Sequence, residues 1–254
     1  MKKNYGTLYL WFILTLIYLP IIIVVVYSFN ASRMATIWGG FSVKWYQMLF
    51  SNRILMKTLR TSLFLAGTSA VISSVIGTMG AYALSNTKSY IKFIEKFIYL
   101  PLMIPEIILG MAFLSFFTLL KVKTGMLTLI ISHCSFSIPY VFLMVRAALA
   151  GMDSSYSEAA RDLGASSLKA FCTIELPIIL PSVLSGAFLA FAMSMDDVVI
   201  SFFTSGPTTN TLPVKIYSQL KMGVTPEVNA LCTIMLLVTS VIVILSFLLR
   251  KKIK

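Results

Sequence analysis

Three carboxylates in this sequence stand where charge is expensive. Glu106, Asp196 and Asp197 fall within long apolar stretches, whereas the other acids lie in or beside polar segments. A charged side chain at the centre of a membrane-spanning helix costs about 2.5 to 3.5 kcal/mol on insertion scales, so such groups turn toward a cavity or a partner. Their chemistry is that of a cation site: a carboxylate exchanges water for charge-assisted hydrogen bonds with an amine, and must hold it weakly enough to let it go. Two destinations fit these acids, a passage for a cation or an ion pair with basic groups of a partner. Asp196 and Asp197 are neighbours, about 100° apart on a helix, so only one faces a passage unless the helix breaks there. Asp197 shares a face with Ala190 and Ser194, and Asp196 with Leu189 and Met193; periodicity does not choose between them. Tyr99, Tyr140, Phe202 and Tyr217 either add cation–π contacts or mark the membrane interface, where aromatic residues collect by default.

Other chemistries find little support. His133 is the one histidine, and no acid near it in sequence completes a triad with Ser135 or Ser137, so it reads as a hydrogen-bonding residue of a helix bundle. Cys134, Cys172 and Cys232 form neither a CxxC pair nor a metal-ligand spacing, and no metal site is expected. The chain has no GxxxxGK[ST] phosphate loop, so any ATP chemistry belongs to another subunit.

The elements that carry these residues belong in lipid. Hydrophobic residues make up 58% of the 254 and charged residues only 12%, against about 25% charged in a typical soluble domain. The net charge of +12 sits in short clusters between apolar runs, which suits a membrane surface better than nucleic acid. About 20 apolar residues span the hydrocarbon core as a helix. Six stretches reach that length: 8–29, 61–85, 98–120, 126–150, 178–203 and 228–249. The expected fold is therefore an all-α polytopic membrane protein with six transmembrane helices, residues 1–254 forming a single domain. The first stretch is too long for the core of a cleaved signal and is expected to be a retained span. An even count places both termini on one side, and Lys2-Lys3 with Arg250-Lys251-Lys252 put that side in the cytoplasm.

Small residues recur at helical spacing in two spans, as Ala66, Ala70, Ser74, Gly77 and Ala81, and as Ser182, Gly186, Ala190 and Ser194. Such faces let helices approach closely in lipid. Pro20, Pro101, Pro105, Pro139 and Pro181 lie in or at the ends of spans, as kinks or helix ends. The two halves show no repeat of the kind common in secondary carriers, which disfavours a carrier or channel working without an ATPase.

The long inside loop, residues 151–177, reads as helix, turn and helix. Ser155 with Glu158 fits a capping box, Gly164 suits a left-handed helix stop, and Ser166 is placed to cap the next helix. Such a pair would make a stiff docking knob at the base of the fifth span. The spacing is more specific than its parts: Glu158-Ala159-Ala160, three residues, Gly164, nine residues, then Ile174, Leu176 and Pro177.

This spacing resembles, without gaps, the loop that marks permease subunits of bacterial ATP-binding cassette (ABC) importers. Further segments extend the likeness over nearly the whole chain: Pro20-Ile21-Ile22-Ile23, Tyr27-Ser28-Phe29-Asn30, Ser194 to Val199, Leu212 to Tyr217 and Pro226 to Ala230. Together they are similar to the second permease of spermidine/putrescine importers. The resemblance implies a type I ABC importer permease fold whose cytoplasmic coupling helix meets an ATPase through Glu158, Ala159, Ala160, Asp162 and Gly164. It also implies a heterodimer with a second permease, two ATPase subunits that hold ATP and Mg, and an extracytoplasmic polyamine-binding protein. This chain would bring no cofactor of its own and would sit in the bacterial cytoplasmic membrane. Permeases for other small solutes share the loop, so the loop alone leaves the substrate open.

Overall fold

With no water in a bilayer core, an apolar segment satisfies its backbone most simply by coiling into a helix. The computed structural model describes residues 3–33, 37–85, 92–153, 155–221 and 226–252. Lys2 and Ser154, which fall in the segments read above, lie outside these. In chain order the helices are α1 (Lys3–Ser28), α2 (Lys44–Ser51), α3 (Arg53–Ser85), α4 (Lys92–Ile98), α5 (Leu100–Met103), α6 (Glu106–Leu119) and α7 (Met126–Ala150). They continue as α8 (Ser155–Asp162), α9 (Ser167–Ala170), a π turn (Phe171–Glu175), α10 (Leu176–Asp196), α11 (Val199–Thr204), α12 (Leu212–Leu220) and α13 (Pro226–Lys252). Strand pairing among the described residues is limited to the isolated bridges Asn30–Phe41 and Gly206–Thr209.

The chain divides into two compact units, one of residues 1–57 with 216–254 and the other of residues 58–215, with the boundaries inside α3 and α12. In the first unit α13 packs on α1 and α2. Its loop is organised by Asn30, whose Oδ1 accepts from the amides of Ser32 and Gly39 at 3.0 and 2.8 Å while its Nδ2 donates to the Ile37 carbonyl at 2.8 Å. Trp45 donates its indole N–H to the Asn30 carbonyl at 2.6 Å, which fixes α2 to the end of α1.

The second unit carries the candidate sites. Its core joins α3, α7 and α10 through Ala70, Ala81, Val141, Phe142, Val145, Ile179 and Ala190. The small-residue faces read from the sequence do this packing. A Cβ built on Gly77 would stand 2.8 Å from the Val141 Cβ, and one on Gly186 would stand 3.2 Å from the Val141 Cα. Val141 of α7 is thus pinched between a glycine of α3 and a glycine of α10, and a side chain at either would hold the helices apart.

Four helices are long and apolar enough to cross a membrane: Gly6–Ser28, Arg53–Ser85, Met126–Ala150 and Ser167–Asp196. α7 matches the expected fourth span, and the first, second and last expected spans also lie on continuous helices, with the apolar stretch of α13 described over Pro226–Val238. The other two expected spans are interrupted. The stretch 98–120 is not one helix, because α5 ends at Ile104 in an extended conformation (φ −82°, ψ 129°) and α6 starts after Pro105. Pro105 has no N–H to continue the ladder, and its ring pushes the preceding residue out of the helical region. The stretch 178–203 likewise breaks after Asp196: Asp197 is extended (φ −66°, ψ 119°) and the short α11 restarts beyond Val198. Pro20, Pro139 and Pro181 are carried inside continuous helices.

Candidate functional site

The two broken spans meet. α11 packs against α6 and α7, and between the breaks lies a cavity of about 470 Å³ whose lining includes Glu106, Asp196, Asp197, Phe136, Tyr140 and Met193. All three carboxylates singled out from the sequence therefore border one space. The expectation that only one of the paired aspartates faces it fails because α10 stops between them, and an extended Asp197 no longer follows the 100° step.

The two aspartates are not equivalent. Asp197 is spent on the protein: its side chain is 6% exposed, Oδ1 accepts from the Ile200 amide at 3.1 Å, and Oδ2 accepts from the Ser201 amide at 2.6 Å. It thereby satisfies amides that the first turn of α11 would otherwise leave bare. Asp196 is exposed toward the cavity and has no hydrogen bond or ion pair among the described residues. Glu106, also exposed, sits in the first turn of α6, where an acid complements the helix dipole. No lysine, arginine or histidine lines the cavity, so its charged side chains are all acidic.

Behind the cavity is a residue that sequence reading set aside. His133 of α7 is fully buried, with Nδ1 2.7 Å from the Ser194 hydroxyl and Nε2 3.0 Å from the Ser201 hydroxyl and 3.4 Å from Asp197 Oδ2. A carboxylate only accepts, so this network favours the tautomer with the proton on Nε2 and the Ser194 hydroxyl donating to Nδ1. These partners lie 61 and more residues further along the chain, beyond any local spacing signal.

At the other end of α10 is the loop of residues 151–177. Because α10 is 21 residues long, the loop and the cavity are separated by about 30 Å of helix, close to the thickness of a hydrocarbon core. α8 ends in a Schellman turn: Gly164 has φ +85°, its amide bonds the Arg161 carbonyl at 2.8 Å, and the Ala165 amide bonds the Ala160 carbonyl at 3.0 Å. The expected left-handed stop is present. Ser166 caps α9, its hydroxyl accepting from the Lys169 amide at 3.4 Å. The expected capping box at Ser155 is absent, because Ser155 is already helical and donates its own amide to Asp153 Oδ1 at 3.0 Å. That bond holds the Asp153 carboxyl below the usual carboxylate range.

Of the loop residues picked out from the sequence, Glu158, Ala159, Asp162 and Gly164 are exposed, whereas Ala160 is 5% exposed and anchors α8 inward. The helix also shows apolar side chains that the motif did not flag: Leu163 is 90% exposed and Tyr156 54%. A large apolar residue on an eight-residue polar helix, next to its glycine stop, was the available signal. α9 continues through the π turn, where the Leu176 amide reaches back to the Phe171 carbonyl, straight into α10. The loop and the long helix are thus one continuous piece of backbone.

Residues 73–253 match the family model described as "Binding-protein-dependent transport system inner membrane component". The chain is 42% identical over 236 residues, 92% of its length and 89% of the relative's, to the spermidine/putrescine transport system permease protein PotC of Escherichia coli strain K12. It is 39% identical to the protein of the same name from Haemophilus influenzae, over 93% of this chain and 92% of the relative. To the putrescine transport system permease protein PotI of Escherichia coli strain K12 it is 38% identical, over 87% and 82%. Among solved structures, it is similar in fold to a chain of a bacterial ABC transporter involved in the import of the acidic polysaccharide alginate. That likeness has a TM-score of 0.73 at 15% identity, over 98% of this chain and 95% of that one. The alginate ABC transporter in complex with an alginate pentasaccharide-bound periplasmic protein gives a TM-score of 0.74 at 18% identity, over 95% and 91%.

Proposed function

The chain belongs to the family of binding-protein-dependent transport system inner membrane components, and on that premise we propose that it is a permease subunit of an ABC importer for polyamines. The observation that carries the substrate class is the cavity between the broken spans, whose charged groups are the carboxylates of Glu106, Asp196 and Asp197 alone. An aliphatic polyamine is a string of cations separated by methylenes. Asp196 and Glu106 offer it charge-assisted hydrogen bonds, and Phe136 and Tyr140 offer aromatic faces between them. The same wall would repel an acidic polysaccharide. Relatives at 38 to 42% identity that carry spermidine or putrescine in their names support the same class.

The work comes from outside the chain. Without a phosphate loop of its own, the chain takes its driving force from two cytoplasmic ATPase subunits that bind ATP and Mg. They engage α8, where Glu158, Ala159, Asp162 and Leu163 form the exposed surface, Ala160 anchors the helix from behind, and Gly164 sets the turn. A second permease completes the passage, and an extracytoplasmic binding protein delivers the polyamine. This arrangement puts loop 151–177 and both termini in the cytoplasm and the cavity toward the outer half of the bilayer.

Reconstitution of the chain in liposomes with the second permease, ATPase and binding protein encoded alongside it tests the reading. ATP-dependent uptake of labelled spermidine or putrescine is expected. Uptake of an anionic or neutral solute in their place would overturn the substrate class, and polyamine uptake by this chain alone would overturn the ATP-driven permease.

A further inference from the structure

The break between α10 and α11 has no backbone of its own to hold it. Asp197 is extended and Val198 is the only residue between it and α11, so the ladder of helical hydrogen bonds stops at Asp196. What spans the gap is one imidazole. His133 rides on α7, a continuous 25-residue helix, and bonds Ser194 on one side of the break and Ser201 on the other. Its Nε2 also faces the carboxylate that caps α11. The far end of α11 is fixed to the same helix, since the Thr128 hydroxyl donates to the Thr204 carbonyl at 2.8 Å. Asp196 therefore sits between two tethered points, Ser194 two residues before it and Asp197 directly after it. The His133 ring also lies 5.2 Å from that of Phe136, which lines the cavity.

We propose that His133 is a positioning residue: by tying Ser194, Ser201 and Asp197 to α7, it sets where the Asp196 carboxylate stands in the cavity. The proposal rests on reading that cavity as the polyamine passage. His133 lines no part of the cavity, so it acts on the substrate through Asp196 and Phe136. A group held by a locked second layer keeps its geometry, whereas one left on an untied chain end loses the orientation that makes a charge-assisted contact productive. Either nitrogen contact alone leaves one side of the break free.

The test is equilibrium binding of labelled spermidine to the assembled permease–ATPase complex in detergent, without the external binding protein, with the melting temperature measured on the same samples. His133→Phe fills the ring's volume without either nitrogen, and His133→Gln keeps a donor near Ser201 and Asp197. Ser194→Ala cuts one tether, and Asp196→Asn tests the cavity itself. His133→Phe is expected to raise Kd about tenfold, the equivalent of ~1.4 kcal/mol. Ser194→Ala should raise it about threefold, and His133→Gln should recover part of the loss. If Asp196→Asn weakens binding while His133→Phe and Ser194→Ala bind as the unmodified protein does, the positioning role is overturned and the cavity reading stands. Lower melting temperatures with unchanged Kd would make His133 structural and equally overturn it. Should His133→Phe fail to assemble, an unchanged Kd in Ser194→Ala decides against the proposal. An unchanged Kd in Asp196→Asn removes the cavity reading on which it rests.

Discussion

Two adjacent aspartates with the same chemistry are put to different uses. Asp197 accepts two backbone amides and faces His133, while Asp196 is left without a protein partner at the cavity wall. Replacing each by asparagine separates the roles. Asp196→Asn removes the charge offered to a cation, so reconstituted uptake should fall at least tenfold with the amount of assembled complex unchanged. Asp197→Asn keeps an acceptor but puts an amide N–H near groups that already donate. It should therefore lower the melting temperature and the yield of complex, with a loss of about 1–3 kcal/mol if one buried donor is left unpaired. Equal effects of the two variants on uptake and assembly would show that the aspartates are interchangeable. At the other end of α10, Asp153 carries the one depressed carboxyl of the loop. A depressed folded value means that the contribution to α8 is present above the ordinary carboxylate range near pH 4 and is lost as pH falls through the lower folded value. Exchange at the Ser155 amide should accelerate in that acid window, and in Asp153→Ala at all pH values.

Among the elements, α7 and α10 depend on close approach at a single residue. Gly77→Ala would put a methyl 2.8 Å from the Val141 side chain, nearer than any carbon tolerates, whereas Gly186→Ala meets Val141 at 3.2 Å and needs only a small shift. Overpacking of this kind costs about 1–3 kcal/mol, so Gly77→Ala should melt lower than Gly186→Ala, and Val141→Ala should restore part of the loss in either. If both glycine variants melt as the unmodified protein does, the helices are not held at this contact. These faces were legible because small residues at helical spacing declare themselves in a row. The bounds of α7 were legible too, since Gly125 precedes it and Gly151 follows an uninterrupted apolar run. The break at Ile104 was half legible: Pro105 announced a disturbance, but a kink and a stop share that signal. The break at Asp197 was hidden, because no proline or glycine marks it. It is held by contacts to a histidine more than sixty positions away in the chain, and a window of eighteen residues contains no trace of them. Capping of α8 was misplaced by two residues for a related reason, as Asp153 and Ser155 are both good caps and only the backbone decides between them.

For the whole molecule, the chemistry-bearing parts lie at the two ends of one helix. A loop whose exposed surface mixes acids with Leu163 continues through α9 and the π turn into α10, and α10 ends at Asp196 beside the cavity. A displacement of the loop has a direct path to the carboxylates, through helix backbone rather than through flexible linkers. The central claim is that this path carries the work of ATP hydrolysis to a passage for cations. Gly164→Val tests it most directly. Valine at a left-handed position costs about 1–2 kcal/mol and twists the turn that orients α8, while the cavity about 30 Å away is untouched. In liposomes holding the complete transporter, ATP hydrolysis and spermidine uptake should be measured together. The account predicts that hydrolysis persists while the number of molecules taken up per ATP falls at least tenfold. An unchanged ratio, with both rates normal or both reduced in step, would contradict it.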